Sequence, residues 1–156
     1  MYFLMKLDDI DKKLIELLQK DCKQTTKKLS LQLNLSVTAV YERIKKLENA
    51  NVIKKYVALI DKHKIDKSFL VFCHIKLVQH SKEFLTSFEK EVIKLEEVSE
   101  CFHLSGDYDY LLKVYVKDMD AYREFMVHKI TALKHIGSTH STFTISEIKN
   151  TTSISL

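Results

Sequence analysis

Residues 33–49 read Leu-Asn-Leu-Ser-Val-Thr-Ala-Val-Tyr-Glu-Arg-Ile-Lys-Lys-Leu-Glu-Asn, and this stretch decides the first half of the fold. Asn34 tolerates the left-handed backbone of a sharp turn, and Ser36 carries a side-chain oxygen suited to capping a helix N-terminus. Beyond the cap, Val40, Ile44 and Leu47 recur on one stripe, which predicts a helix over 37–49. Thr38, Glu42, Lys45 and Asn49 fall on the opposite side, with Tyr41 and Lys46 flanking. One face packs, and the other is free to read a partner.

Upstream, Thr25 and Thr26 offer N-caps for a short helix running through Leu33. Before that, Leu7, Ile10, Leu14, Leu17 and Leu18 share one face of a helix over 8–20. Asp8, Asp9 and Asp11 cluster at its start, where the helix dipole favours negative charge. Three helices with a tight turn between the second and third make the helix-turn-helix pattern, whose last helix enters the DNA major groove. Charge agrees with this division. Residues 1–66 carry 14 Lys/Arg against 9 Asp/Glu, a net of +5, whereas residues 67–156 carry 11 against 12, a net of −1. A basic half joined to a neutral half suits a nucleic-acid-binding unit followed by a unit of another kind.

Downstream, residues 52–60, Val-Ile-Lys-Lys-Tyr-Val-Ala-Leu-Ile, are rich in β-branched side chains and read as a strand linking two domains. With no proline and two glycines in 156 residues, the boundary at 61–66 is placed by pattern and charge. Residues 68–78 read as a strand buried over most of its length, and Phe84, Leu85, Phe88, Val92 and Leu95 then mark the inner side of a helix. Strands over 98–105 and 109–117 flank Gly106 as an antiparallel hairpin. A helix from Met119 places Tyr122, Phe125, Met126, Ile130 and Leu133 at helical spacing, and residues 138–149 alternate as a last strand. The order is βαββαβ, the ferredoxin-like split arrangement.

The expected fold class is therefore α+β. A three-helix helix-turn-helix domain of winged-helix-like form over 1–51 is followed by a linker strand and hinge over 52–66. A βαββαβ domain of ferredoxin-like, ACT-like form then covers 67–149, with a tail over 150–156. Apolar residues at 46% suffice for cores without staples. No run approaches the roughly 20 apolar residues that span a bilayer, and the start Met-Tyr-Phe-Leu-Met-Lys is too short for a secretory leader, so a cytoplasmic protein is expected. Cys22, Cys73 and Cys101 form no Cys-x-x-Cys pair and read as small hydrophobes. His63, His74, His80, His103, His128, His135 and His140 form no metal-ligand pattern along a helix face, so no metal and no cofactor is expected.

Four segments together resemble the Lrp/AsnC family of regulators, the feast/famine proteins. They are Leu-Asp-Asp-Ile-Asp-Lys-Lys-Leu-Ile-Glu-Leu-Leu at 7–18; Leu-Asn-Leu-Ser at 33–36 running into Val40, Arg43, Ile44 and Leu47; Gly-Asp-Tyr-Asp-Tyr-Leu-Leu-Lys-Val at 106–114; and Glu-Ile-Lys at 147–149. Each alone is unspecific, and their order and spacing are not. The resemblance implies a DNA-binding transcription regulator, not an enzyme, that works as a homodimer often assembled into an octamer. It further implies an amino acid held between C-terminal domains as effector. Val37 stands where many members have proline, and Ile136 precedes Gly137 where proline is frequent.

For DNA, residues near the start of the third helix approach base edges. This nominates Ser36, Thr38, Ala39 and Glu42, with Ala39 suited to a thymine methyl and Glu42 to a cytosine amine; Tyr41 flanks them. Thr25, Thr26, Lys27, Lys28, Lys45 and Lys46 have the hydroxyls or charge for phosphate contacts. Arg43 lies between the packed and free faces, where a phosphate and the carboxylates of Asp11 or Glu48 are alternative partners. For the effector, the resemblance points to Gly106, Asp107, Tyr108 and Asp109, and to Thr139 and Ser141, which match a Thr-x-Thr pair of the family. A carboxylate such as Asp109 accepts an ammonium group, and turn amides and hydroxyls hold a carboxylate. The other readings are an amino-acid-binding regulatory subunit of a metabolic enzyme, which leaves the basic helices unexplained, and an RNA binder, which would need an aromatic motif absent from 109–117.

Overall fold

A computed structural model describes residues 5–156; residues 1–4, most of the segment weighed above as a leader, lie outside the described residues. The chain forms two compact units, one of residues up to Leu59 together with Lys149–Leu156, the other Ile60–Ile148.

The first unit is built from α1 (Asp9–Lys20), α2 (Thr26–Leu33) and α3 (Val37–Asn49). Each begins at a polar cap. Asp8 accepts the Asp11 N–H at 2.7 Å and forms a reciprocal capping box with it, Thr25 accepts from the Lys28 N–H, and Ser36 accepts from the Ala39 N–H. Helix α2 ends at Asn34 in the left-handed region (φ 54°, ψ 48°), which makes the turn into α3 sharp. The leucine stripes then converge, and Leu14, Leu18, Leu29, Leu33, Val40 and Leu47 form the core. Each such side chain contributes roughly 1.5–3 kcal/mol by leaving water. Residues 52–60 are a correction to the expected linker strand, because they adopt no strand and are almost entirely exposed. A strand needs a neighbour for its N–H and C=O groups, and this segment has none among the described residues.

In the second unit a 3-10 turn at Lys62–Lys64 precedes β1 (Phe69–Leu77), α4 (Lys82–Val92), β2 (Val98–His103), β3 (Tyr110–Val116), α5 (Met119–Phe125) and β4 (Ile136–Phe143). The four strands form one antiparallel sheet in the order β2-β3-β1-β4, as the split βαββαβ arrangement requires. Helix α5 passes into a π-helical turn over Met126–Ile130 rather than continuing as regular helix, with the Thr131 N–H bonding the Met126 carbonyl. The last strand is also shorter than expected. It stops at Phe143 instead of reaching 149 because β1, its neighbour, runs out at Phe69, and the Thr144 N–H makes the last bond, to the Leu70 carbonyl.

Alternation sorts the sheet into two faces. Val71, Cys73, Ile75, Leu77, Tyr110, Leu112, Val114 and Val116 pack against Phe88 and Val92 of α4, Tyr122 and Phe125 of α5, and Ile130 of the π-helical turn. Phe72, His74, Leu111, Lys113 and Tyr115 point the other way and remain partly exposed. At the β1/β4 irregularity a Cβ on Gly137 would stand 3.3 Å from the Leu77 carbonyl group, so a larger residue there would have to push the two strands a few tenths of an ångström apart.

Candidate DNA helix and effector turn

Among the residues nominated for DNA, Thr25, Lys27, Lys28, Ser36, Thr38, Tyr41, Glu42, Lys45 and Lys46 are exposed, and Thr26, Ala39 and Arg43 are half-buried. The hydroxyls of Thr25 and Ser36 are engaged as caps, yet each accepts there and keeps its O–H to donate. Lys45 pairs with Glu48 at 2.8 Å and lies over the Tyr41 ring. Glu48 also accepts the Tyr56 hydroxyl at 3.0 Å. The Glu48 carboxyl is held below its ordinary value by Lys45 and then by Tyr56, and burial followed by Glu48 pushes Tyr56 up to about 12.

Arg43 is committed elsewhere. Its Nη1 donates to Asp8 Oδ2 at 2.7 Å and to Asp11 Oδ1 at 2.5 Å, which ties α3 to the capping box at the start of α1. Asp11 is fully buried, and Lys46 approaches its other oxygen at 3.7 Å. The Asp11 backbone N–H, and next the Arg43 guanidinium, hold the Asp8 carboxyl below its usual value; the two carboxylates push Arg43 up. The third-helix arginine therefore fixes the orientation of the helix whose exposed face carries Thr38, Glu42, Lys45 and Asn49.

The six effector candidates divide among four environments. Thr139 and Ser141 lie opposite Ile75 and Cys73 on the helix-covered face, where Ser141 Oγ is 2.6 Å from the Tyr122 hydroxyl. Burial pushes both Tyr122 and Cys73 up. Tyr108 sits on the open face, its ring 5.1 Å from that of His74 and 6.0 Å from that of His140, which are cross-strand partners. Asp109 is 2% exposed, and its Oδ2 accepts the Leu77 N–H at 2.7 Å while its Oδ1 lies 2.7 Å from His80 Nε2. Gly106 and Asp107 are exposed at the turn. The single chain does not bring all six to one cavity. His74, His80, His140 and Tyr122 also contact these candidates, and no sequence motif marks them. The contacts of His74 and His140 arise from strand register, and those of His80 from the loop after β1, neither of which leaves a local motif. Among the described residues no group of three His, Cys, Asp or Glu side chains is placed to hold a metal.

A capped three-helix DNA-reading unit joined to a split βαββαβ unit defines a transcription regulator with separate DNA-binding and ligand-binding domains. The sequence matches the AsnC-type helix-turn-helix domain over residues 7–48 and the Lrp/AsnC ligand binding domain over residues 70–154. Leucine-responsive regulatory proteins of Escherichia coli (strain K12) and Klebsiella pneumoniae are 38% identical over 143 residues, covering 92% of this chain and 87% of theirs. Two solved structures are similar. A transcriptional regulator from Neisseria meningitidis in complex with L-Met has a TM-score of 0.91 at 31% identity, covering 96% of each chain. An AsnC family transcriptional regulator from Agrobacterium tumefaciens has a TM-score of 0.91 at 36% identity, covering 95% of this chain and 96% of its own. The chain belongs to the Lrp/AsnC family, and it is a transcriptional regulator, not an enzyme.

Proposed function

We propose that the protein binds operator DNA as a homodimer, assembling further into an octamer, and that a free amino acid held by the C-terminal domain modulates this binding. The observation that carries the DNA reading is the exposed polar face of α3, oriented by Arg43 and fronted by the Ser36 cap. Ser36, Thr38, Ala39 and Glu42 take the base edges with Tyr41 flanking them, and Thr25, Thr26, Lys27, Lys28, Lys45 and Lys46 take phosphates. Two such helices meet half-sites about one helical turn, or a multiple of it, apart. The dimer joins the open sheet faces and the unpaired 52–60 segments, and residues 52–66 act as the hinge between the domains at 1–51 and 67–149. The cytoplasm is the proposed compartment, where the operator DNA lies; no described helix is long and apolar enough to cross a membrane.

The amino-acid reading is supported by the ligand-binding domain match and by the relative solved with L-Met. The turn at 106–109 is the proposed site, with Asp109 facing the ligand ammonium and Thr139 and Ser141 completing the pocket. Selection from a random duplex pool followed by gel shift tests the first half. The expected result is a duplex bound at least about 10³-fold tighter than random sequence at physiological salt, and equal binding of all duplexes overturns it. Thermal-shift measurement with each free amino acid tests the second half. A ligand at about 100 times its dissociation constant adds about 2.7 kcal/mol of stability, and no shift with any amino acid overturns the effector reading.

A further inference from the structure

The Asp109 carboxylate is almost wholly withdrawn from water, so each oxygen needs a partner. One partner is permanent, since the Leu77 N–H reaching Oδ2 is backbone at the end of β1. The other is not. His80, at Oδ1, is an exposed side chain, 66% accessible, on the four-residue segment between β1 and α4. That segment is pinned at both ends: the Val78 N–H bonds the His135 carbonyl at 2.9 Å, and Ser81 caps α4 through the Phe84 N–H at 3.2 Å. Gln79 and His80 are exposed between the pins, and the His80 ring leaves Oδ1 by rotation about its own side-chain bonds while the backbone stays in place.

We propose that His80 is a built-in occupant of the ammonium subsite at Asp109, and that it sets the affinity of this chain for its amino-acid effector because the effector must displace it. This rests on the effector reading above. The separation of 2.7 Å is the length of a charge-assisted N–H to carboxylate bond, so the imidazole nitrogen stands where a ligand ammonium nitrogen would stand. The two nitrogens compete for one oxygen. A ligand that replaces the imidazole must bring a donor of its own, and an ammonium bonds a carboxylate more strongly than a hydroxyl or a neutral amide does. The competition lowers apparent affinity by the fraction of time the oxygen is free, so a plug in place nine times in ten weakens binding about tenfold.

The test is calorimetric titration of the full chain with L-methionine and with L-leucine, comparing the parent with His80→Ala, His80→Gln and His128→Ala. His128 is an exposed imidazole on the π-helical turn after α5, paired with Glu124, and serves as the control. His80→Ala is expected to bind several-fold to tenfold more tightly, His80→Gln to fall between it and the parent, and His128→Ala to match the parent. Unfolding of each variant without ligand is followed alongside, and should His80→Ala lose its fold, the Gln variant alone decides. Binding by the His80 variants equal to or weaker than the parent overturns the assignment of His80 and leaves the effector reading standing. Failure of both amino acids to titrate any of the proteins, with no other free amino acid shifting the unfolding midpoint, overturns the effector reading together with the assignment that rests on it.

Discussion

Arg43 is the residue on which the first unit turns. Its guanidinium meets one half-exposed carboxylate, Asp8, and one buried carboxylate, Asp11, and the buried one decides the energetics. Removing one partner of a buried pair costs up to 3–5 kcal/mol because a desolvated charge is left behind; Lys46, 3.7 Å from Asp11, moderates this, so Arg43→Ala is expected to cost about 2–3 kcal/mol. Urea unfolding followed by circular dichroism measures it. Arg43→Lys should recover only part, since both contacts are made by Nη1 and the shorter lysine side chain does not carry its nitrogen to that position. Unchanged stability in Arg43→Ala, with a loss confined to DNA affinity, would return Arg43 to the phosphate-contacting residues. The same cluster sets an acid limit. Asp8 titrates below its ordinary value of 3.8 when folded, so its contribution is complete above that value and is lost as pH falls through the lowered one. Asp8→Asn is expected to flatten the fall in unfolding midpoint below about pH 4, and an acid limb identical to the parent's would contradict this.

At the scale of elements, what the sequence made legible was whatever is encoded locally. The caps at Thr25 and Ser36, the left-handed Asn34 and the helix stripes all depend on neighbours within a turn of the chain, and α1, α2 and α3 lie within a residue of expectation. The failures share one physical cause, which is dependence on distant partners. Residues 52–60 have the composition of a strand and no ladder to join, and β4 ends where β1 stops supplying hydrogen bonds. The candidate effector turn divides for the same reason: pleat parity sends Ser141 and His140 to opposite faces, and no spacing rule announces that His80 reaches Asp109. The 52–60 segment carries its own prediction. Val57, Leu59 and Ile60 are more than half exposed, an apolar edge of the kind that recruits another strand. The double variant Val57→Asp, Leu59→Asp places like charges in both copies of such a pairing, and is expected to weaken self-association at least tenfold in sedimentation equilibrium. A monomeric parent at micromolar concentration, or an unaffected variant, would count against the paired segments.

At the scale of the whole molecule, DNA contact and copy number become one measurement, because every phosphate contact made by a chain is made again by each further chain on the same duplex. Lys27 and Lys28 lie exposed on α2, beside the Thr25 cap, outside the Arg43 cluster, so replacing both with alanine leaves the core of the first unit unaltered. Each phosphate neutralised contributes about −0.9 to the slope of log affinity against log salt. The slope should therefore become shallower by about 1.8 if one chain engages the duplex and by about 3.6 if two do. Selected and random duplexes should weaken alike, because phosphate contacts position the protein without reading sequence. Fluorescence anisotropy over a salt series gives the slope, and sedimentation of the same complex gives the number of chains independently. An unchanged slope removes these lysines from the DNA surface, whereas a change near 1.8 alongside a two-chain complex means that only two of the four lysines meet phosphates.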